Sequence, residues 1–256
     1  MSGATADLLV VSATGEQEAD WFEEWFGQDY LDIYQHRDET EAERAIELIA
    51  TNLAGRQIDR VLDLACGAGR HTRVLRERWW TVGLDLSMSL LKVARRESPD
   101  GPFVRADMRE LPFAGQTFDL VVNLFTSFGY FDTDSEHSRV LVRVCESMKH
   151  GGTLVIDYLN AMQVRRELVP YDERVENGIT IEQRRAISPD DRFVEKTITL
   201  RERGKEYIER VRLLSPQDLQ RMLVDAGFSV EKLFGDYSGV EWTEDSPRTI
   251  LFASRQ

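Results

Sequence analysis

The segment Arg60-Val-Leu-Asp-Leu-Ala-Cys-Gly-Ala-Gly69 is an apolar run that ends in two glycines. A run of this kind reads as a strand buried on both faces that breaks into a tight turn, with a helix expected from about Arg70. The pattern repeats downstream. Residues 81–87, 103–107, 118–125 and 152–158 read as further strands, and residues 88–96 as a helix. Thr133, with Glu136 three residues later, forms a capping box. It opens a helix whose apolar stripe is Val140, Leu141, Val144, Cys145 and Met148, ending before Gly151-Gly152. Strands alternating with helices at this spacing predict an α/β fold, a doubly wound and mostly parallel sheet with right-handed crossovers.

The flanks follow other rules. The first dozen residues are small and aperiodic and read as a frayed tail. Residues 16–54 carry helical spacing (Trp21, Phe22, Trp25, Phe26; Tyr30, Leu31, Ile33, Tyr34; Ala45, Ile46, Leu48, Ile49) and predict two helices. Between 161 and 214 the period drops toward two over segments 179–187, 192–203 and 207–214. This predicts an antiparallel β insertion, turned at Ser188-Pro-Asp-Asp191 and near Gly204. Helical spacing then resumes, with Ser215 as N-cap, Pro216 at the first position, Asp218 closing the box and Gly227 as terminator. Strands at 229–234 and 249–254 follow. The expected organisation is an N-terminal helical cover (1–59), a ligand-binding domain (60–160 and 215–256) and an insertion (161–214) that serves as a lid or a homodimer sheet.

Composition bounds the function. At 256 residues, with 42% hydrophobic and 30% charged, the chain can bury a real core, and it is too apolar for disorder. Two cysteines, Cys66 and Cys145, do not make a disulfide framework, and no basic-then-apolar leader or membrane-length apolar run is present, so a cytoplasmic location is expected. The net charge of -13 disfavours nucleic acid and anionic membranes as partners. The charge is uneven, because residues 1–60 hold 4 basic and 14 acidic side chains while the rest is nearly balanced. Arg165, Arg166, Arg184 and Arg185 in the insertion leave an anionic small substrate open.

Glycine after the first strand lets the backbone approach a ligand and adopt positive φ, while the next helix offers unpaired N–H groups. Asp85, 16 residues after Gly69 and at the second strand's end, can accept both hydroxyls of a ribose. Asp107, after the third strand, can reach an adenine amino group while Met108 packs on the ring. Three successive strand ends form one crevice, where open α/β sheets bind ligands. Dinucleotides and S-adenosylmethionine both fit such a crevice. A dinucleotide site asks for a third glycine where this chain has Thr72, and Asp63 beside the turn would repel a pyrophosphate but attract an α-amino group.

The order of Val61-Leu-Asp-Leu-Ala-Cys-Gly-Ala-Gly69, Gly83-Leu-Asp-Leu-Ser87, Ala106-Asp-Met-Arg-Glu-Leu-Pro-Phe113, Phe118-Asp-Leu-Val-Val-Asn123 and Gly151-Gly-Thr-Leu-Val-Ile156 resembles the class I S-adenosylmethionine-dependent methyltransferases. The resemblance covers residues 60–160, and residues 215–256 less closely. It implies a Rossmann-like sheet of seven strands whose last runs antiparallel, with S-adenosyl-L-methionine as cofactor and S-adenosyl-L-homocysteine as product. It further implies that Ala65, Cys66, Gly67 and Gly69 cradle the methionine part, with Asp63 near its amino group. Asp85, with Leu86, would bind the ribose, Asp107 and Met108 the adenine, and Asn123 would close the site. Tyr30 and Tyr34, with His36 and Arg37 beyond them, resemble the N-terminal elements that lie over the cofactor in small-molecule members.

No catalytic triad is required and no metal is expected, because the sulfonium methyl is already activated. A hydroxyl or protonated amine acceptor does need a base, for which His71, Tyr130 and His137 are the candidates. The acceptor is expected beside Thr126, Ser127, Tyr130 and Phe131, where rings and small polar groups suit a small molecule. An Asn/Asp-Pro-Pro-Tyr/Phe sequence is absent after Asn123, which disfavours a nucleobase amine. RNA or protein methylation, and a non-catalytic S-adenosylmethionine-binding regulator, are the alternatives.

Overall fold

The computed structural model describes residues 20–34 and 39–256. The expected frayed tail, and His36 and Arg37, lie outside these residues. Three helices occupy the N-terminal region where two were expected: α1 (Trp21–Trp25), α2 (Gln28–Ile33) and α3 (Glu39–Asn52). Phe26-Gly27 breaks the first aromatic stretch, with Gly27 extended as the N-cap of α2.

The core then alternates as β1 (Arg60–Leu64), α4 (Arg70–Arg76), β2 (Trp80–Asp85), α5 (Met88–Glu97), β3 (Phe103–Arg105), β4 (Phe118–Asn123), α6 (Asp134–Ser147) and β5 (Met148–Leu159). After the insertion come α8 (Pro216–Asp225), β10 (Phe228–Phe234) and β11 (Arg248–Arg255). The seven strands lie in the order β10-β11-β5-β4-β1-β2-β3, parallel throughout except for β11, which runs antiparallel to both its neighbours. This is the predicted Rossmann-like sheet. Burial explains the runs read in the sequence: Leu62 and Leu64 on one side of β1 and Val61 on the other are at most 1% exposed, packed under separate helix layers. Both capping boxes form, Thr133 with Glu136 and Ser215 with Asp218.

The insertion differs from expectation at its start. A helix, α7 (Ala161–Glu167), precedes four antiparallel strands, β6 (Tyr171–Glu176), β7 (Ile179–Ile187), β8 (Phe193–Leu200) and β9 (Lys205–Arg212), paired in sequence order. The unexpected strand is β6. Its hairpin to β7 turns on Asn177-Gly178, both at positive φ (51° and 77°), the turn chemistry that matches the twist of a two-residue hairpin.

The inner face of this second sheet has its own apolar core. Trp25 of α1, fully buried, and Ile33 of α2 pack on Ile179, Ile181, Ile198 and Leu200. Asp29 of α2 reinforces the seam, accepting hydrogen bonds from Arg203, Lys205 and Tyr207. Burial opposes charge there, yet these donors hold the Asp29 carboxyl down at about 2. The N-terminal helices and the insertion sheet therefore form one roof. It meets the main sheet at Tyr158 of β5, whose hydroxyl donates to the Arg212 carbonyl. That hydroxyl also occupies the place a Cβ on Gly129 would need, so the turn before α6 must approach as glycine.

Truncating Trp25 to alanine removes the largest side chain of the roof core. The expected cost is about 3–5 kcal/mol of stability, read as a lower denaturant midpoint.

Candidate active site

At the end of β1 the chain turns through three left-handed residues in five, Ala65 (φ 59°), Gly67 (φ 56°) and Gly69 (φ 80°). Gly69 has a second reason to lack a side chain, because a Cβ would press on Ala94 of α5 at 3.0 Å. The Cys66 N–H donates to the Leu84 carbonyl at 2.9 Å, tying the turn to β2. The Asp85 carboxylate accepts from the Gly67 N–H and from the Ser87 N–H, both at 2.8 Å. Burial pushes its carboxyl up, and these N–H groups act against that rise. Each oxygen keeps a lone pair for a further donor.

These strand ends open into a cleft of about 930 Å³. Its floor is Ala65, Cys66 and Gly67, followed by Asp85 and Leu86 after β2 and Asp107 and Met108 after β3. Tyr30 and Tyr34 line it from the roof side, and His71, Ser127, Tyr130 and Phe131 complete the wall. Tyr130 sits in an aromatic cluster, its ring 4.9 Å from Trp21 and 5.6 Å from Phe26. The Cys66 thiol is buried, and burial with the nearby Asp63 and Asp85 pushes it well up, so it packs as a neutral side chain.

Five expected site residues lie off the cleft wall. Asp63 is 1% exposed and turned beneath the glycine turn, accepting from the Thr72 hydroxyl at 2.6 Å. Burial pushes its carboxyl up to about 7, against the opposing effect of the Thr72 bond. Gly69 stands behind the turn as the N-cap of α4. Asn123 is buried and donates to the Leu64 carbonyl at 3.0 Å, so it locks β4 to the end of β1. Thr126 is turned toward Arg248, which donates to its hydroxyl at 3.3 Å. His137 is fully buried, its Nδ1 2.8 Å from the Thr133 carbonyl and its ring between Phe128 and Phe131. Burial lowers its pKa, so it is a neutral packing residue rather than a base at the cleft.

Sequence reading missed two features. Arg109 donates to Asp107 at 2.7 Å, Asp20 at 2.9 Å and Glu136 at 2.8 Å, and its guanidinium lies 4.8 Å from the Phe131 ring centre. It thereby clamps the rim after β3 to α1 and α6. Phe125 and Thr126 form consecutive left-handed residues (φ 63° and 70°) beyond β4. Their N–H groups donate to Asp157, to its carboxylate and its carbonyl respectively, both at 2.9 Å. The same buried carboxylate accepts from Arg248 at 2.7 Å and Tyr237 at 2.6 Å. Phe125 is in turn flanked by Arg70 and Arg248, at 5.1 and 5.4 Å. Among the described residues no group of three or more His, Cys, Asp or Glu is placed to hold a metal ion, and no helix is long and apolar enough to cross a membrane.

Residues 61–152 match a family model described as a methyltransferase domain. A dTDP-3-amino-3,4,6-trideoxy-alpha-D-glucopyranose N,N-dimethyltransferase of Streptomyces venezuelae is 35% identical over 98 residues, 38% of this chain and 41% of that one. A dTDP-4-amino-2,3,4,6-tetradeoxy-D-glucose N,N-dimethyltransferase of Saccharopolyspora spinosa is 31% identical over 140 residues, 52% and 55% of the two chains. The chain thus spans about half or less of these relatives' length. Among solved structures, a S-adenosylmethionine-dependent methyltransferase from Clostridium acetobutylicum superposes with a TM-score of 0.76 at 17% identity, over 89% of this chain and 96% of that one. With the strand order and glycine turn above, residues 61–152 are similar to a methyltransferase domain, and the fold is shared with a S-adenosylmethionine-dependent methyltransferase of known structure.

Asp63 titrates above its unfolded range, so the folded state holds a proton that the unfolded chain releases near pH 4. Its contribution to stability is present below pH 4 and is lost as pH rises toward 7. Relative to Asp63→Asn, the wild type is expected to lose up to about 4 kcal/mol between pH 4 and 8, read by urea unfolding at each pH.

Proposed function

We propose that the protein is a S-adenosylmethionine-dependent methyltransferase that methylates a small molecule at an amine. The observation that carries this reading is the convergence of Asp85, Asp107 and the left-handed turn of residues 65–69 on one roofed cleft. The side chains suit an adenosine: Asp85 to accept from the ribose hydroxyls, Asp107 to accept from the adenine amino group, and Leu86 and Met108 as apolar neighbours of the base. The turn is left for the methionine end, and the rings of Tyr30, Tyr34 and Tyr130 suit a cationic sulfonium. When bound, the cofactor supplies an activated methyl group. The protein has to hold an acceptor in line with it and exclude water, and proximity of this kind is worth about 7–11 kcal/mol.

The amine is supported by the names of the two relatives above, both N,N-dimethyltransferases of amino sugars. His71 and Tyr130 remain on the wall as groups that could take the amine proton. The roof over the cleft, and the acidity of its N-terminal part, favour a small acceptor over RNA.

The test is calorimetry with S-adenosylmethionine on wild type and Asp85→Ala. Loss of a charge-assisted hydrogen-bonding group, with loosening of Gly67, is expected to weaken binding at least about 10- to 100-fold. Unchanged affinity would remove the site assignment, and cofactor binding without S-adenosylhomocysteine formation on any acceptor would leave a regulator instead.

A further inference from the structure

A second cavity, about 580 Å³, lies between the inner face of the insertion sheet, the end of α2, α3 and the turn after β4. It shares two walls with the cleft above, Tyr34 and Phe125. Both are fixed in place: Gln183 of β7 donates to the Tyr34 hydroxyl at 3.0 Å, Arg174 of β6 covers the Tyr34 ring at 5.3 Å, and Phe125 is held by the Asp157 network. The neighbouring lobes therefore meet at two positioned aromatic rings.

The walls of this lobe are charged, unlike the apolar and hydroxyl lining expected for the acceptor. Arg174, Arg185 and Lys196 stand against Glu41, Glu176 and Glu209. The strand register explains the clustering: Arg185 faces Lys196 across β7 and β8, and Lys196 faces Glu209 across β8 and β9. Two cations directly opposite each other cost stability. Each has one acidic partner, Asp172 for Arg185 at 2.5 Å and Glu209 for Lys196. Among the described residues the one acidic partner of Arg174 is Asp172, at 4.0 Å, and Glu176 has no ion pair. Of the four arginines singled out in the insertion sequence, only Arg185 reaches the cavity. Arg165 pairs with Asp191, Arg166 with Asp245, and Arg184 lies on Tyr171.

We infer that this charged lobe is the acceptor subsite, and that it selects a zwitterion, a small amine carrying a carboxylate or phosphate, with the anion at Arg174 and the ammonium end toward Glu176. The inference rests on the reading of the adjoining cleft as the S-adenosylmethionine site. Glu209, Glu41 and Arg185 are already held by Lys196, Arg70 and Asp172, which leaves Arg174 and Glu176 for a ligand, and a ligand of one sign would satisfy one of these two and leave the other without a close partner. A ligand with both signs satisfies both residues through charge-assisted hydrogen bonds. Amine and anion on one scaffold also fit the shared wall. The amine can face the aromatic junction at Phe125 while the anion stays on the sheet.

The experiment is ligand-observed saturation-transfer NMR on the full chain, with and without S-adenosylhomocysteine. The probes are O-phosphoethanolamine and β-alanine, with ethanolamine and propionate as single-charge controls. Binding of both zwitterions is expected to be at least about 10-fold tighter than that of either control, and to be lost in Arg174→Gln and in Glu176→Gln. Both residues lie on the edge strand and leave the core intact, and thermal melts check folding. Equal binding of ethanolamine or propionate, binding that survives both variants, or no binding of any probe would each overturn the inference. Calorimetry with S-adenosylmethionine on the same samples separates the two readings. If the cofactor binds and the zwitterions do not, only the acceptor assignment fails, whereas if the cofactor does not bind, the methyltransferase reading fails whatever the probes do.

Discussion

The carboxylate of Asp85 is the point at which the parts of the site are joined. It takes the N–H of Gly67 from the turn after β1 and the N–H of Ser87 from the turn after β2, so two strand ends are braced by one side chain. Ser87 then extends the connection in both directions. Its hydroxyl accepts from the Leu90 N–H at 3.2 Å, capping α5, and donates to the Phe26 carbonyl at 2.5 Å, reaching the roof. A charge withdrawn from water is costly unless it is hydrogen-bonded, and here the bonds it requires set the geometry of floor, helix and roof together.

A second arrangement of the same kind governs the far wall. The consecutive left-handed residues Phe125 and Thr126 cost on the order of 1–3 kcal/mol each, and such a conformation persists only where its surroundings enforce it. Asp157, fully buried on β5, supplies that enforcement through both its carboxylate and its carbonyl, with Arg248 of β11 neutralising the charge. The ring of Phe125 is thereby presented to both lobes from a strand end that is otherwise ordinary core.

Legibility in the sequence followed the range of the interactions. The glycine turn, the Ser215 and Thr133 caps and the acidic strand ends are encoded within a few residues, and the chain order of strands follows from them. The strand β6 was hidden because Tyr171-Asp-Glu-Arg-Val-Glu176 carries charge on both faces, the inner one lining a polar cavity, so no apolar alternation marks it. Asn177-Gly178 was a local signal that could have revealed it. The clamp of Arg109 to α1 and α6 had none, because Asp20 and Glu136 lie 89 and 27 residues away and only Asp107 is local. Asp63 and His137 show the converse. Their residue types suggested contact with a ligand, whereas burial, which no local pattern reported, turned both inward.

The roof is woven from two stretches of chain, residues 21–33 and 171–212, that meet through Trp25 and Asp29. For protein engineering this sets the unit of exchange. A chimaera that grafts the insertion of a structurally similar protein onto this scaffold would strand the N-terminal helices against a foreign sheet, and grafting the helices alone would do the reverse. Exchanging the roof by recombination therefore calls for two crossover segments moved together, although a linear reading of the chain would treat them as separate modules.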